Sequence, residues 1–191
     1  MKKAIICLLI PVLMILLSGC SVIYSEAPDV VKIESVFSEH KADFQSITDY
    51  LTETYPVTPD LDSVYIEGNK ITVFRTQSGT YQLDRKDIAV ADTPISDAYN
   101  NLKKAGCRSI SMAPQIDGKG QENAIYFRMW LRTIDEADGG IAYAVDNSYP
   151  PQIEFQTALE ALSEDGWYYC LAEYNEWRNT KPTFVSTYDE R

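Results

Sequence analysis

The sequence predicts an α+β fold: a mostly antiparallel sheet with its helices on one face. Three observations predict it. One long stretch has helical periodicity, several short stretches alternate with a period of two, and tight-turn residues join those short stretches. Strands linked by hairpins pair antiparallel, and such a sheet buries one face under its few helices.

Along the chain, Ile33, Val36, Phe37, His40, Phe44, Ile47 and Leu51 recur at steps of three and four, so residues 31–54 form a helix with one apolar stripe. Glu34, Ser38, Lys41, Ser46 and Asp49 take the other face. Tyr55-Pro56 ends the helix, because a residue before proline is pushed out of the helical region. Residues 63–67 and 70–76 read as strands around Gly68-Asn69, a pair suited to the positive φ of a two-residue hairpin. Ser78-Gly79 then turns the chain into a strand over 80–84.

Thr93-Pro94 marks a second helix, with a capping hydroxyl followed by proline at the first position. Ile95, Ala98, Tyr99, Leu102 and Ala105 form its apolar face, and Gly106 stops it. Strands follow over 107–112, 124–132 and 141–145. Pro150-Pro151 precede a third short helix carrying Ile153, Ala158, Leu159 and Leu162, stopped by Gly166, and a last strand covers 167–176. The expected order is α-βββ-α-βββ-α-β. It contains an internal similarity: Phe74-Arg75-Thr76 leads to Tyr81–Asp84 much as Leu131-Arg132-Thr133 leads to Tyr143–Asp146. A helix ending in Leu-x-x-x-Gly and then a strand follow each time, which reads as a tandem ββαβ unit.

With 191 residues, 45% of them hydrophobic and 24% charged, the chain has the composition of an ordinary globular domain. Its 28 acids outnumber its 17 bases, and the net charge of −11 argues against nucleic acid, which needs a basic stripe.

The N-terminus carries an address. Lys2 and Lys3 precede an apolar run over residues 4–17, too short for a stable bilayer span of about 20 residues but suited to the core of a signal peptide. The run ends in Leu17-Ser18-Gly19-Cys20. Here the sequence resembles the bacterial lipoprotein class, and the likeness covers residues 1–20 alone. The resemblance implies cleavage before Cys20, a diacylglyceryl group on its sulfur, and anchoring of the protein at the cell membrane on the extracytoplasmic side. Residues 1–19 are then the signal peptide, 20–30 the lipidated N-terminus and tether, and 31–191 one α+β domain. Loss of both signal lysines leaves 172 residues and takes the net charge to −13. The acidic domain is repelled from an anionic bilayer surface. Its tether, residues 21–28, holds it within about 25–30 Å of the membrane.

Chemistry-bearing residues are few. His40 is the only histidine and lies on the apolar stripe of the first helix, where it reads as a hydrogen-bonded residue at the core edge. With no second histidine and no short-spaced ligands, no metal site is expected. Cys107 and Cys170 each lie in or beside a strand that follows a helix. They form a disulfide if those strands are neighbours, and are otherwise two buried thiols acting as small apolar residues. Asp135, Glu136 and Asp138 before Gly139-Gly140 lack the ligand spacing of a calcium loop and read as a solvated hairpin turn. No catalytic set and no cofactor site emerge.

Residues 124–132 carry the most information. Alternation sends Ile125, Phe127, Met129 and Leu131 to one face and Tyr126, Arg128, Trp130 and Arg132 to the other. The first set is core. The second is a ladder of the residue types that dominate binding hot spots. Phe74, with Thr72 and Thr76, and Tyr65, with Ser63 and Glu67, extend the same face, unless the segment 182–188 folds over it. The expected function is a membrane-anchored binding or accessory module for a protein or peptide partner, with membrane lipid engaged through Cys20. The alternatives are a small cell-envelope hydrolase using an unidentified Asp/Glu pair, and a self-protection protein that captures a cationic peptide or toxin.

Overall fold

The computed structural model describes residues 27–56, 58–76, 82–116, 121–132, 137–145 and 156–173. Cys20 and its signal, Ser78-Gly79, Asp135 and Glu136, and the segment 182–188 lie outside the described residues. Those described form two α-helices and one eight-stranded antiparallel sheet. The helices are α1 (Val30–Thr54) and α2 (Ser96–Lys104). The strands are β1 (Leu61–Glu67), β2 (Lys70–Thr76), β3 (Leu83–Ala89), β4 (Ser109–Ile116), β5 (Gln121–Arg132), β6 (Ala137–Ala144), β7 (Gln156–Ala161) and β8 (Trp167–Glu173), arranged β3-β2-β1-β4-β5-β6-β8-β7.

The expected apolar stripe drives the packing of α1. Ile33, Phe37, Phe44, Ile47 and Leu51 are buried, and Asp29 caps the helix by accepting from Lys32 N at 2.8 Å. Phe44 meets Phe127 edge-on at 4.9 Å between ring centroids, and Trp167 lies 5.0 Å from Phe37. These rings tie α1 to β5 and β8. Both helices share the sheet face that buries Val64, Ile66, Ile71, Val73, Ile110, Met112, Ile125, Phe127 and Ile141 in one core cluster. The other face carries no helix among the described residues.

The Gly68-Asn69 hairpin is present, with Gly68 at φ 62°. Gly106, at φ 104°, closes α2: Cys107 N donates to Leu102 O and Gly106 N to Lys103 O, which caps the last carbonyls. The start of α2 departs from expectation. Thr93 Oγ1 donates back to Val90 O at 2.7 Å within a 3-10 turn (Val90–Asp92), so it is not a helix cap, and the helix begins two residues after Pro94.

The expected third helix is a strand. Residues 156–161 form β7, the sheet's edge, and Gly166 at φ 82° closes a turn into β8. The reason lies in β8, whose residues are buried on both faces and whose backbone needs hydrogen-bonded neighbours on both sides. β6 supplies one and β7 the other, whereas a helix would leave that side of β8 unpaired. Ala158, Leu159 and Leu162 therefore serve a strand and its turn. The tandem ββαβ unit falls with the helix: a helix precedes β4, but a strand precedes β8.

Candidate functional site

The face without helices is built from the outward residues of every strand. One row crosses it through cross-strand pairs: Asp87 (β3), Thr72 (β2), Tyr65 (β1), Ser111 (β4) and Tyr126 (β5). At the usual strand spacing this row runs about 19 Å.

Its two halves differ. On the β5–β8 side, Tyr126, Ala142 and Cys170 form a small buried cluster with Leu159 and Tyr168 against it. On the β3–β4 side, Tyr65 is 44% exposed and meets the half-buried Phe74 edge-on, with centroids 6.0 Å apart at 80°. Small hydroxyl residues, Ser109 and Ser111, separate the halves.

The predicted Tyr126-Arg128-Trp130-Arg132 ladder does not continue along one face. Arg128 pairs with Gly140 but Trp130 pairs with Gly139, so Met129 is an extra residue that forms a β-bulge. The bulge rotates the following residues by one side-chain position. Trp130 is only 6% exposed and lies beside Gly139 and Leu171, on the side that carries the helices. Leu131, expected in the core, instead pairs with Asp138. Arg132 ends the strand opposite Ala137, and its side chain is outside the described residues. Gly140 makes the bulge feasible: a Cβ there would stand 2.0 Å from Phe127 O and 3.0 Å from Met129 N.

Tyr126 and Arg128 keep the predicted face but are engaged there. Tyr126 is 8% exposed and its hydroxyl donates to Asp138 Oδ1 at 2.6 Å, while Arg128 Nη2 lies 3.3 Å from Asp138 Oδ2. Burial first, and then the Asp138 charge, hold the Tyr126 hydroxyl well above the ordinary phenol value. Arg128 is 37% exposed as a side chain, and its buried Nε has no hydrogen-bond partner among the described residues. Asp138 is therefore no turn residue. It lies in β6 and bridges the two side chains, as its period-two spacing from Gly140 and Ala142 allows.

The disulfide is excluded by topology. Cys107 belongs to the helix-side core and Cys170 to the opposite cluster. They flank β5 and β6, so three strand spacings put them about 14 Å apart, against the roughly 7 Å limit for a bridge. Both are free thiols; burial pushes Cys107 up to about 12, and Cys170 higher still. Neither is a nucleophile at neutral pH.

At the far edge, Asp87 receives Arg85 Nε at 3.0 Å, Lys70 Nζ at 3.1 Å and Thr72 Oγ1 at 3.0 Å. The Arg85 guanidinium, and then Lys70, hold its carboxyl down at about 2. Because the folded value is depressed from 3.8, this contribution is fully present above that value and is lost as pH falls through about 2. Amide exchange in β2 and β3 is therefore expected to quicken over that acid range, and in Asp87→Asn to be quick already at neutral pH. Equal exchange in the two chains at neutral pH would show that the cluster does not hold β3.

His40 is half-buried at the core edge, as read, but it faces α2 and not the sheet. Its Nδ1 lies 3.2 Å from Asp43 Oδ2, and it lines a pocket of about 290 Å³ with Val36, Glu39, Asn101, Lys104 and Ala105. Among the described residues no cluster of three or more His, Cys, Asp or Glu could hold a metal, and no helix is long and apolar enough to cross a membrane. No protein-family model, curated protein or solved structure matches the chain.

Proposed function

We propose that this protein is a lipid-anchored, extracytoplasmic binding module that engages a protein or peptide partner. The docking surface is the β3–β4 side of the helix-free sheet face, centred on Tyr65 and Phe74 and bordered by Arg128. The observation that carries the reading is the pairing of the exposed Tyr65 with the half-buried Phe74. Tyr65 and Phe74 stand edge-to-face on the helix-free strand surface beside the half-buried Thr72 and Ser111, while the core lies on the other side. An amphipathic ring that keeps 44% of its area in water gains by burial against a partner. The LSGC signal supports the membrane address, and lipid on Cys20 would keep the module near its partner.

Photocrosslinking in intact cell envelopes tests this. A photoreactive residue at position 65 is expected to capture a discrete partner, whereas one at Val31, which is more exposed (73% against 44%) but lies on the helix side, is not. Tyr65→Ala combined with Phe74→Ala is expected to weaken capture about thirtyfold, the scale of a 2 kcal/mol hot spot. The exposed ring's loss should move Tm by no more than about 2–4 °C. Crosslinks of equal strength from both positions, or none from position 65, would remove the surface.

A further inference from the structure

We infer that the pocket between α1 and α2 binds a small zwitterion of amino-acid size, a site separate from the sheet face and not dependent on its role. The pocket's wall is unusual. α1 is interrupted at His40, with φ −112° and ψ 18°, although residues 36–44 contain neither proline nor glycine to interrupt it. The ring is oriented from behind. Asp43, as a carboxylate, only accepts, so His40 Nδ1 donates to it across 3.2 Å. Asn101 Nδ2 donates to the other oxygen, Asp43 Oδ1, at 3.2 Å.

This chain of bonds sets what remains for a ligand. In the neutral ring, His40 Nε2 is left as an acceptor, and Asn101 is left with its carbonyl oxygen, also an acceptor, and its second amide N–H. Glu39 adds a carboxylate, and Lys104 adds an ammonium from the last turn of α2. Among the described residues these two charges form no ion pair, either with each other or with a third group. A simple cation would satisfy the acceptors and be repelled by Lys104. A simple anion would meet Lys104 and be repelled by Glu39. A molecule with an ammonium at one end and a carboxylate at the other answers both: the ammonium toward Glu39, Asn101 and His40, the carboxylate toward Lys104. Val36 and Ala105 supply the apolar wall. At about 290 Å³ the cavity is at the lower limit of small-molecule sites, which suits a free amino acid and not a larger metabolite.

His40 makes the test direct, because a single imidazole gives a single set of side-chain resonances. The full chain in detergent is titrated with L-alanine, and with ethylamine and acetate as its separated halves. Alanine is expected to move the imidazole resonances saturably with a millimolar midpoint, and each half to bind about tenfold more weakly or worse. Glu39→Gln and Lys104→Met, both at exposed positions, are each expected to weaken alanine about tenfold without changing the circular dichroism. Absence of a saturable shift with alanine would overturn the site. So would unchanged affinity in both variants, or acetate or ethylamine alone binding as tightly as alanine.

Discussion

Gly140→Ala is expected to destabilise the protein by about 3–4 kcal/mol or more, among the largest effects any single methyl group can have here. The added carbon would stand 2.0 Å from Phe127 O and 3.0 Å from Met129 N, both of them backbone atoms held in the β5–β6 ladder. Neither can rotate away as a side chain would, so the bulge must open. Opening it breaks the register that sends Trp130 to the helix side, and with it the seat of Trp130 beside Gly139 and Leu171. Such a loss is a large share of the roughly 5–15 kcal/mol that holds a typical domain together. Gly139→Ala is the internal control. Its new carbon would meet the flexible end of Leu171 at 3.3 Å, so a change within about 1 kcal/mol is expected. Urea unfolding of the two variants beside the unvaried chain decides the matter. Coincident midpoints for all three would show that Gly140 is not the close-approach point of the bulge.

Cys20→Ala is expected to abolish lipid attachment altogether. On the proposed reading Cys20 is the acyl acceptor that the signal defines, and alanine offers no sulfur for the thioether bond. Each buried methylene contributes about 0.8 kcal/mol to anchoring, and a second chain converts marginal binding into stable attachment. Without lipid, the acidic domain has no electrostatic reason to remain at an anionic bilayer. The variant is expected either to accumulate as uncleaved precursor or to appear in the soluble fraction, and in both cases to incorporate no labelled fatty acid. Wild-type processing, fatty-acid incorporation and membrane recovery in the variant would end the lipoprotein reading. Because the sheet surface is tested by photocrosslinking, the address and the docking surface can fail separately.

Much of this protein was determined locally, by periodicity and turn chemistry. The stripe from Ile33 to Leu51 sufficed for α1, Gly68-Asn69 for its hairpin, and Gly106 for the end of α2, because each depends on residues within a few positions of one another. The split of Ile125 and Phe127 from Tyr126 and Arg128 was legible for the same reason. Tertiary structure alone decided the rest. Whether Ala158 and Leu159 belonged to a helix or a strand depended on the open side of β8, which no local pattern reports. The face taken by Trp130 depended on one extra residue in β5 meeting the bare backbone of Gly140, so strict alternation was the wrong rule past Arg128. Cys107 and Cys170 were separated by two strands that only the sheet order reveals. Asn101 reached Asp43 across 58 positions to orient the sole histidine. Local sequence carries short-range torsional and burial preferences, while register, strand order and side-chain convergence are set by which distant backbones must satisfy each other's hydrogen bonds.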